Sequence, residues 1–236
     1  MNLVEVFTSI QGEGIYIGQP QVFIRVAGCN LRCQFCDTTQ SLLIPQECEI
    51  ISQGKKNRIS NPVANSTLIE LIKQDILNYS MICLTGGEPL IQIDSLKLLI
   101  SEIKKGYKTQ IYLETNGTLP HLLEQVINLI DIIAMDIKLP SLTGLKPFWK
   151  EHEKFLRIAN KKEVFVKIIS GAQMVMDEFR RAIFLVKEIS SNIPLVLQPL
   201  DNNLSLQELL QYQAEANKKL SIVRIIPQVH KLAGWK

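Results

Sequence analysis

The chain has 236 residues, 46% of them apolar, enough to bury a full core as one α/β domain over 1–236. Its 26 basic and 23 acidic side chains are spread along the sequence and leave a net charge of +3, which argues against the concentrated positive field of a nucleic-acid binder. No run approaches the ~18 apolar residues of a membrane span, Met1-Asn2-Leu3-Val4-Glu5 does not read as a signal peptide, and five cysteines with three in one loop fit a reducing, cytoplasmic setting better than a disulfide framework.

In chain order, Val22, Ile24 and Val26 alternate with Phe23, Arg25 and Ala27, which predicts a first strand buried on both faces. Arg25 breaks the apolar pattern and must be paired, either internally with Glu13 or Glu88 or with an anionic group on a ligand. Directly after it, Cys29, Cys33 and Cys36 stand at C-x3-C-x2-C spacing. Short spacings of this kind let one loop wrap several corners of an iron-sulfur cluster, and three thiolates leave one iron open for chemistry. The same cysteines could instead join a fourth ligand, such as Cys48 or a histidine, around structural zinc. Residues 40–63, with Pro45, Pro62 and a basic Lys55-Lys56-Asn57-Arg58 run, read as an irregular excursion that leaves room for short strands and in which Cys48 is an ordinary thiol.

Thr67 and Glu70 form a capping-box signal for a helix from about Thr67 to Asn78. A short buried strand, Met81-Ile82-Cys83-Leu84, then delivers Thr85-Gly86-Gly87-Glu88-Pro89 at its end. The alternation repeats: a helix from Asp94 to Gly106, a strand from Gln110 to Leu113 ending in Glu114-Thr115-Asn116-Gly117, a helix at about Leu119–Leu129, and a strand from Ile132 to Ile137. Strands at Val164–Ile169 and Leu195–Leu197 flank a helix carrying Phe179, Ile183, Val186 and Ile189. Ser205 and Glu208 cap a last helix at about Leu206–Lys219, and Ile222–Ile226 is a further apolar strand.

Strands alternating with helices predict an α/β fold: a partial (open) parallel β/α barrel of about six strands, with a flat doubly wound sheet as the alternative. In the barrel the strand C-termini share one mouth, which gathers Arg25, the cysteine loop, Thr85, Glu114, Lys138 and Gln198.

The three-cysteine loop followed by Gly86-Gly87-Glu88-Pro89 resembles the radical S-adenosylmethionine (SAM) superfamily. Within it, Ile10-Gln11-Gly12-Glu13-Gly14, Phe23-Ile24-Arg25-Val26-Ala27-Gly28-Cys29-Asn30-Leu31 and Cys36-Asp37-Thr38 are similar to the 7-carboxy-7-deazaguanine synthase family. The resemblance implies a lyase that contracts 6-carboxy-5,6,7,8-tetrahydropterin to 7-carboxy-7-deazaguanine in queuosine biosynthesis. It also implies a 4Fe-4S cluster on Cys29, Cys33 and Cys36, Mg2+ at Thr38, and a pterin site of Ile10, Gln11, Gly12, Glu13, Arg25, Thr85 and His230. SAM would be met by Phe35, Cys36, Asp37, Gly87, Glu88, Asp136, Ile137, Lys138, Gln198, Pro199, Leu200 and Asp201. Partners implied by the same likeness are an electron donor such as flavodoxin or ferredoxin and a second copy in a homodimer. For Thr38 and His230 the residues alone favour a turn hydroxyl and a structural histidine, and only the resemblance points to the metal and the pocket.

Two other functions use parts of this pattern. A glycyl-radical activase would need the cysteine loop and the Gly-Gly-Glu-Pro turn but not Gln11-Gly12-Glu13-Gly14 or Arg25. A zinc-stapled binding module would need only the cysteines.

Overall fold

The computed structural model describes residues 1–200 and 204–234. β1 (Leu3–Ile10) turns back into β2 (Pro20–Val26), with which it pairs antiparallel. β3 (Glu47–Ser52) and β4 (Lys55–Ser60) form a hairpin, and β3 lies parallel to β1. Then follow α1 (Asn65–Asn78), β5 (Met81–Gly86), α2 (Ile93–Gly106), β6 (Gln110–Thr115), α3 (Pro120–Val126) and β7 (Ile132–Asp136). The remainder is α4 (Pro140–Thr143), α5 (Trp149–Ala159), β8 (Glu163–Ser170), α6 (Met176–Ile189), β9 (Leu195–Pro199), α7 (Leu206–Asn217), β10 (Val223–Ile225) and α8 (Val229–Ala233).

The ten strands of the described residues join one sheet in the order β10-β9-β8-β7-β6-β5-β2-β1-β3-β4. From β2 through β10 every neighbouring pair is parallel, and the two outer strands, β10 and β4, do not meet. This is the open parallel barrel expected, extended by β10 on one side and by β1, β3 and β4 on the other.

Strand alternation sorts the core into two layers. Ile82, Leu84, Ile133 and Met135 point to the side where Leu68, Ile72, Leu99, Ile100, Phe179 and Val186 of the helices pack. Their neighbours Met81, Cys83, Ile132 and Ala134 point the other way, to a smaller aromatic layer with Phe7, Phe23, Tyr112 and Phe165. Phe7 and Phe23 stack with ring centroids 5.2 Å apart. Fully burying side chains of this size contributes about 1.5–3 kcal/mol each.

Two expectations are corrected, and two elements were not expected. β1 escaped notice because a register shift between Leu3 and Glu5 breaks its two-residue period. The 40–63 stretch is not irregular throughout: a two-residue turn, Gln53-Gly54, with φ positive at both positions, closes the β3–β4 hairpin. Its exposed edge strand carries Lys55, Lys56 and Arg58, a composition that discourages pairing with other chains. Thr67 does not cap α1, which starts two residues earlier after Ala64 without a side-chain cap. α5 was unforeseen, although His152, Phe155, Leu156 and Ala159 make a buried helical stripe among charges. The Ser205–Glu208 capping box is present at α7.

Candidate active site

A cavity of about 230 Å³ opens at the C-terminal ends of the parallel strands. Arg25 of β2, Thr85 and Gly86 of β5, Glu114 and Thr115 of β6, Asp136 of β7 and Gln198 of β9 enter it from below. The cysteine loop, Ile10–Glu13 and the Gln228–His230 segment close its sides.

The cysteine loop is fastened from behind. Gly28 N donates to Ser41 O at 2.7 Å, and Glu88 N donates to Gly28 O at 2.9 Å. A Cβ on Gly87 would lie 1.8 Å from Gly28 O, so no other residue fits this turn without moving the loop. The Glu88 carboxylate is fully buried and accepts from Leu90 N, Thr115 Oγ1 and Asn116 N. Burial pushes its pKa up to about 7, against the pull of those donors. Asn116 in turn donates to Asn30 Oδ1 at 2.9 Å, and Asn30 to Thr118 Oγ1 at 2.9 Å. The loop, the Gly-Gly-Glu-Pro turn and the β6 terminus are thus one hydrogen-bonded unit.

Cys29, Cys33 and Cys36 are free, half-buried thiols, all at the cavity wall. Burial raises the pKa of Cys29 and Cys33, so their thiolates call for a cationic ligand. Three soft donors from one loop fit a cluster that keeps one iron open. Across the cavity Gln198 Oε1 is buried without a partner among the described residues, an acceptor available to a bound molecule. Cys48 and Cys83 are buried in the core away from this wall.

Each charged side chain lining the cavity has an ionic or hydrogen-bonding partner. Arg25 Nε binds Glu5 Oε1 at 2.9 Å across the β1–β2 register, and its guanidinium lies 5.8 Å from the Phe7 ring centre. The expected internal partners, Glu13 and Glu88, are engaged elsewhere. Thr85 Oγ1 donates to Glu114 Oε2 at 2.6 Å, and Gln11 Nε2 donates to Glu114 Oε1 at 3.1 Å. Lys138 Nζ holds Asp136 Oδ2 at 2.8 Å and sits 5.2 Å from the Phe35 ring centre. Burial opposes the charge on Asp136, but Lys138 and Lys167 hold its carboxyl below the ordinary range. Glu13 behaves likewise, with burial outweighed by Lys167 and the Gln228 amide. Gln228 Nε2 donates to both Glu13 Oε1 (2.6 Å) and Asp37 Oδ2 (3.0 Å), and Lys231 Nζ lies 3.0 Å from Asp37 Oδ2.

Residues 23–187 match the radical SAM superfamily. The 7-carboxy-7-deazaguanine synthase of Geobacter sulfurreducens is 38% identical over 98% of this chain and 96% of its own. Those of Aquifex aeolicus and Archaeoglobus fulgidus are 35% and 32% identical, each over 99% of this chain and over 94% and 98% of their own. The chain belongs to the 7-carboxy-7-deazaguanine synthase family of the radical SAM superfamily. The fold agrees: the crystal structure of QueE from Escherichia coli superposes with a TM-score of 0.61 at 20% identity, covering 96% of this chain and 93% of that one.

For this radical SAM chain, every residue expected at the pterin, Ile10, Gln11, Gly12, Glu13, Arg25, Thr85 and His230, lines the cavity, as do Cys29, Cys33, Cys36 and Thr38. Of the residues expected at SAM, Phe35, Asp37, Gly87, Asp136, Lys138, Gln198 and Leu200 are at the wall. Glu88 is not; it braces the turn from within. Ile137 packs in the core because its side chain alternates away from its neighbours. Pro199 does not reach the wall, and Asp201 lies outside the described residues, as do Trp235 and Lys236. The expectations omitted Lys167, Gln228, Phe7 and Phe23, which also line the cavity.

Proposed function

We propose that the chain converts 6-carboxy-5,6,7,8-tetrahydropterin to 7-carboxy-7-deazaguanine with loss of ammonia. The observation that carries the reading is that the three free thiols and the Ile10–Glu13 loop with Arg25 line one cavity. A cluster enzyme acting on a protein partner needs no such small-molecule wall.

Cys29, Cys33 and Cys36 would hold a 4Fe-4S cluster, with SAM beside Phe35, Asp136, Lys138 and Gln198. When bound, that pair supplies reductive cleavage of the sulfonium and abstraction of a hydrogen atom from the substrate. The chain's own residues orient and shield. With Nε engaged by Glu5, the Arg25 guanidinium keeps its Nη groups for the substrate carboxylate. Gln11, Thr85 and Glu114 form a preset hydrogen-bonding edge for the pterin ring. Phe7 and Phe23 add an apolar patch to the cavity wall beside Arg25.

Mg2+ fits this reading at Thr38, whose hydroxyl bonds Asp37 Oδ1 at 3.1 Å; Thr38 would supply one oxygen ligand, and substrate oxygens and water the others. The same proposal includes one domain spanning the chain, a homodimer, flavodoxin or ferredoxin as the electron donor, and operation in the cytoplasm. Among the described residues no helix is long and apolar enough to cross a membrane.

The test is anaerobic reconstitution with iron and sulfide, then incubation with SAM, a reductant and the carboxy-tetrahydropterin. Formation of the deazaguanine product supports the proposal; SAM cleavage without product in the presence of Mg2+ overturns the substrate assignment.

A further inference from the structure

Lys167 is the one charged residue between Val164 and Ile169 on β8. Its side chain is 7% exposed, and Nζ lies 2.6 Å from Glu13 Oε2 and 3.6 Å from Asp136 Oδ1. A buried ammonium is unfavourable unless paired. Burial opposes its charge, but Asp136 and Glu13 drive its pKa well above the usual lysine value.

The two carboxylates differ in their dependence on it. Asp136 has a second cation, Lys138, at 2.8 Å, whereas Lys167 is the only ionic partner of Glu13 among the described residues. The Glu13 carboxylate is clamped on both oxygens, Oε2 by Lys167 and Oε1 by the Gln228 amide at 2.6 Å. An ionised carboxylate has about four acceptor positions, so roughly two remain for a ligand in the cavity that Glu13 lines. Val229 N also donates to Gly12 O at 3.0 Å, which seats the Gln228 segment beside the same loop.

We propose that Lys167 is a positioning residue for the pterin, acting through Glu13: it fixes the carboxylate's rotamer and holds it as an acceptor for the substrate. The inference rests on the pterin reading above. The side of the cavity assigned to SAM depends on Lys167 less, because Lys138 remains on Asp136.

The experiment is an anaerobic fluorescence titration of reconstituted enzyme with 6-carboxypterin, alongside equilibrium dialysis with SAM. The proteins are wild type, Lys167→Met, Glu13→Gln and the double variant. Lys167→Met is expected to weaken 6-carboxypterin binding about tenfold or more, the effect of losing one charge-assisted hydrogen bond. SAM affinity should stay within about threefold. The double variant should bind 6-carboxypterin no more weakly than the weaker single variant, since the two residues act as one unit. Unchanged 6-carboxypterin affinity, equal losses for both ligands, or multiplicative losses in the double variant each overturn the proposal. If Lys167→Met does not fold, the double variant, which removes both charges of the pair, is compared with Glu13→Gln: equal affinity supports the proposal and a further loss overturns it. A wild-type enzyme that fails to bind 6-carboxypterin overturns the pterin reading itself, and the wild-type titration alone reveals this.

Discussion

Thr85 donates its hydroxyl hydrogen to Glu114 Oε2 at 2.6 Å, linking the ends of two neighbouring parallel strands at the cavity floor. The second Glu114 oxygen accepts from Gln11, so one carboxylate joins β5, β6 and the N-terminal loop. Thr85→Val keeps the shape and removes the donor. Losing a hydrogen bond to a charged group costs about 1.5–3 kcal/mol, which predicts a fall of roughly 10- to 100-fold in kcat/KM for the pterin. Substrate-free SAM cleavage should be unchanged. Steady-state kinetics with both assays checks this, and an unaltered kcat/KM would refute the role given to the pair.

Arg25→Ala removes both the proposed carboxylate contact and the ion pair with Glu5. We expect pterin turnover to be lost while SAM cleavage without pterin persists. Equal loss of both activities would mean that Arg25 serves the β1–β2 pairing instead of the substrate.

The parallel strands were legible because Val22–Ala27, Met81–Leu84 and Ile132–Ile137 are short apolar runs ended by polar words, and the chemistry clusters where those runs stop. Arg25 was legible as a misplaced charge, but its partner was not, because Glu5 sits on a bulged strand whose two-residue period is broken. Lys167 carried the same signal as Arg25, a charge amid buried β residues, yet no neighbouring motif drew attention to it. Gln228 meets Glu13 and Asp37 across 215 and 191 residues of sequence, and no local pattern encodes such a meeting.

Cys33→Ala leaves two thiols in the loop. The reconstituted variant is expected to lose the charge-transfer absorbance of an intact cluster and all turnover, because two thiolates cannot hold a cuboid cluster by three corners. Iron and sulfide analysis with visible absorbance tests this; retained activity would remove the cluster from the account.

Gly12→Ala places a Cβ 2.4 Å from His230 Nδ1 and 2.7 Å from His230 Cβ. The second contact is near the backbone, so α8 must shift rather than a side chain rotate. The expected cost is about 1–3 kcal/mol, as for other overpacked contacts, together with weaker pterin binding. Thermal unfolding checks the first effect and 6-carboxypterin titration the second; no change in either would show that α8 is not seated on Gly12.

His152 on α5 is fully buried, its Nε2 lies 3.2 Å from Asn116 O, and its Nδ1 has no partner among the described residues. Burial is the main cause of a pKa lowered to about 4, only partly opposed by the Asn116 carbonyl. The imidazole is therefore neutral in the folded chain, donating from Nε2, whereas the unfolded chain takes up a proton near pH 6.5. On acidification the unfolded state binds the proton first. The stability contribution is complete above pH 6.5 and is lost as pH falls towards 4, in total about 3 kcal/mol. Urea unfolding at pH 7 and pH 5 should show wild type losing about 2 kcal/mol more than His152→Leu over that interval. Equal pH slopes in the two proteins would mean that His152 takes up its proton in the fold as readily as in the unfolded chain, so that below pH 6.5 the Asn116 carbonyl at the β6 terminus of the cavity is held by a charged ring.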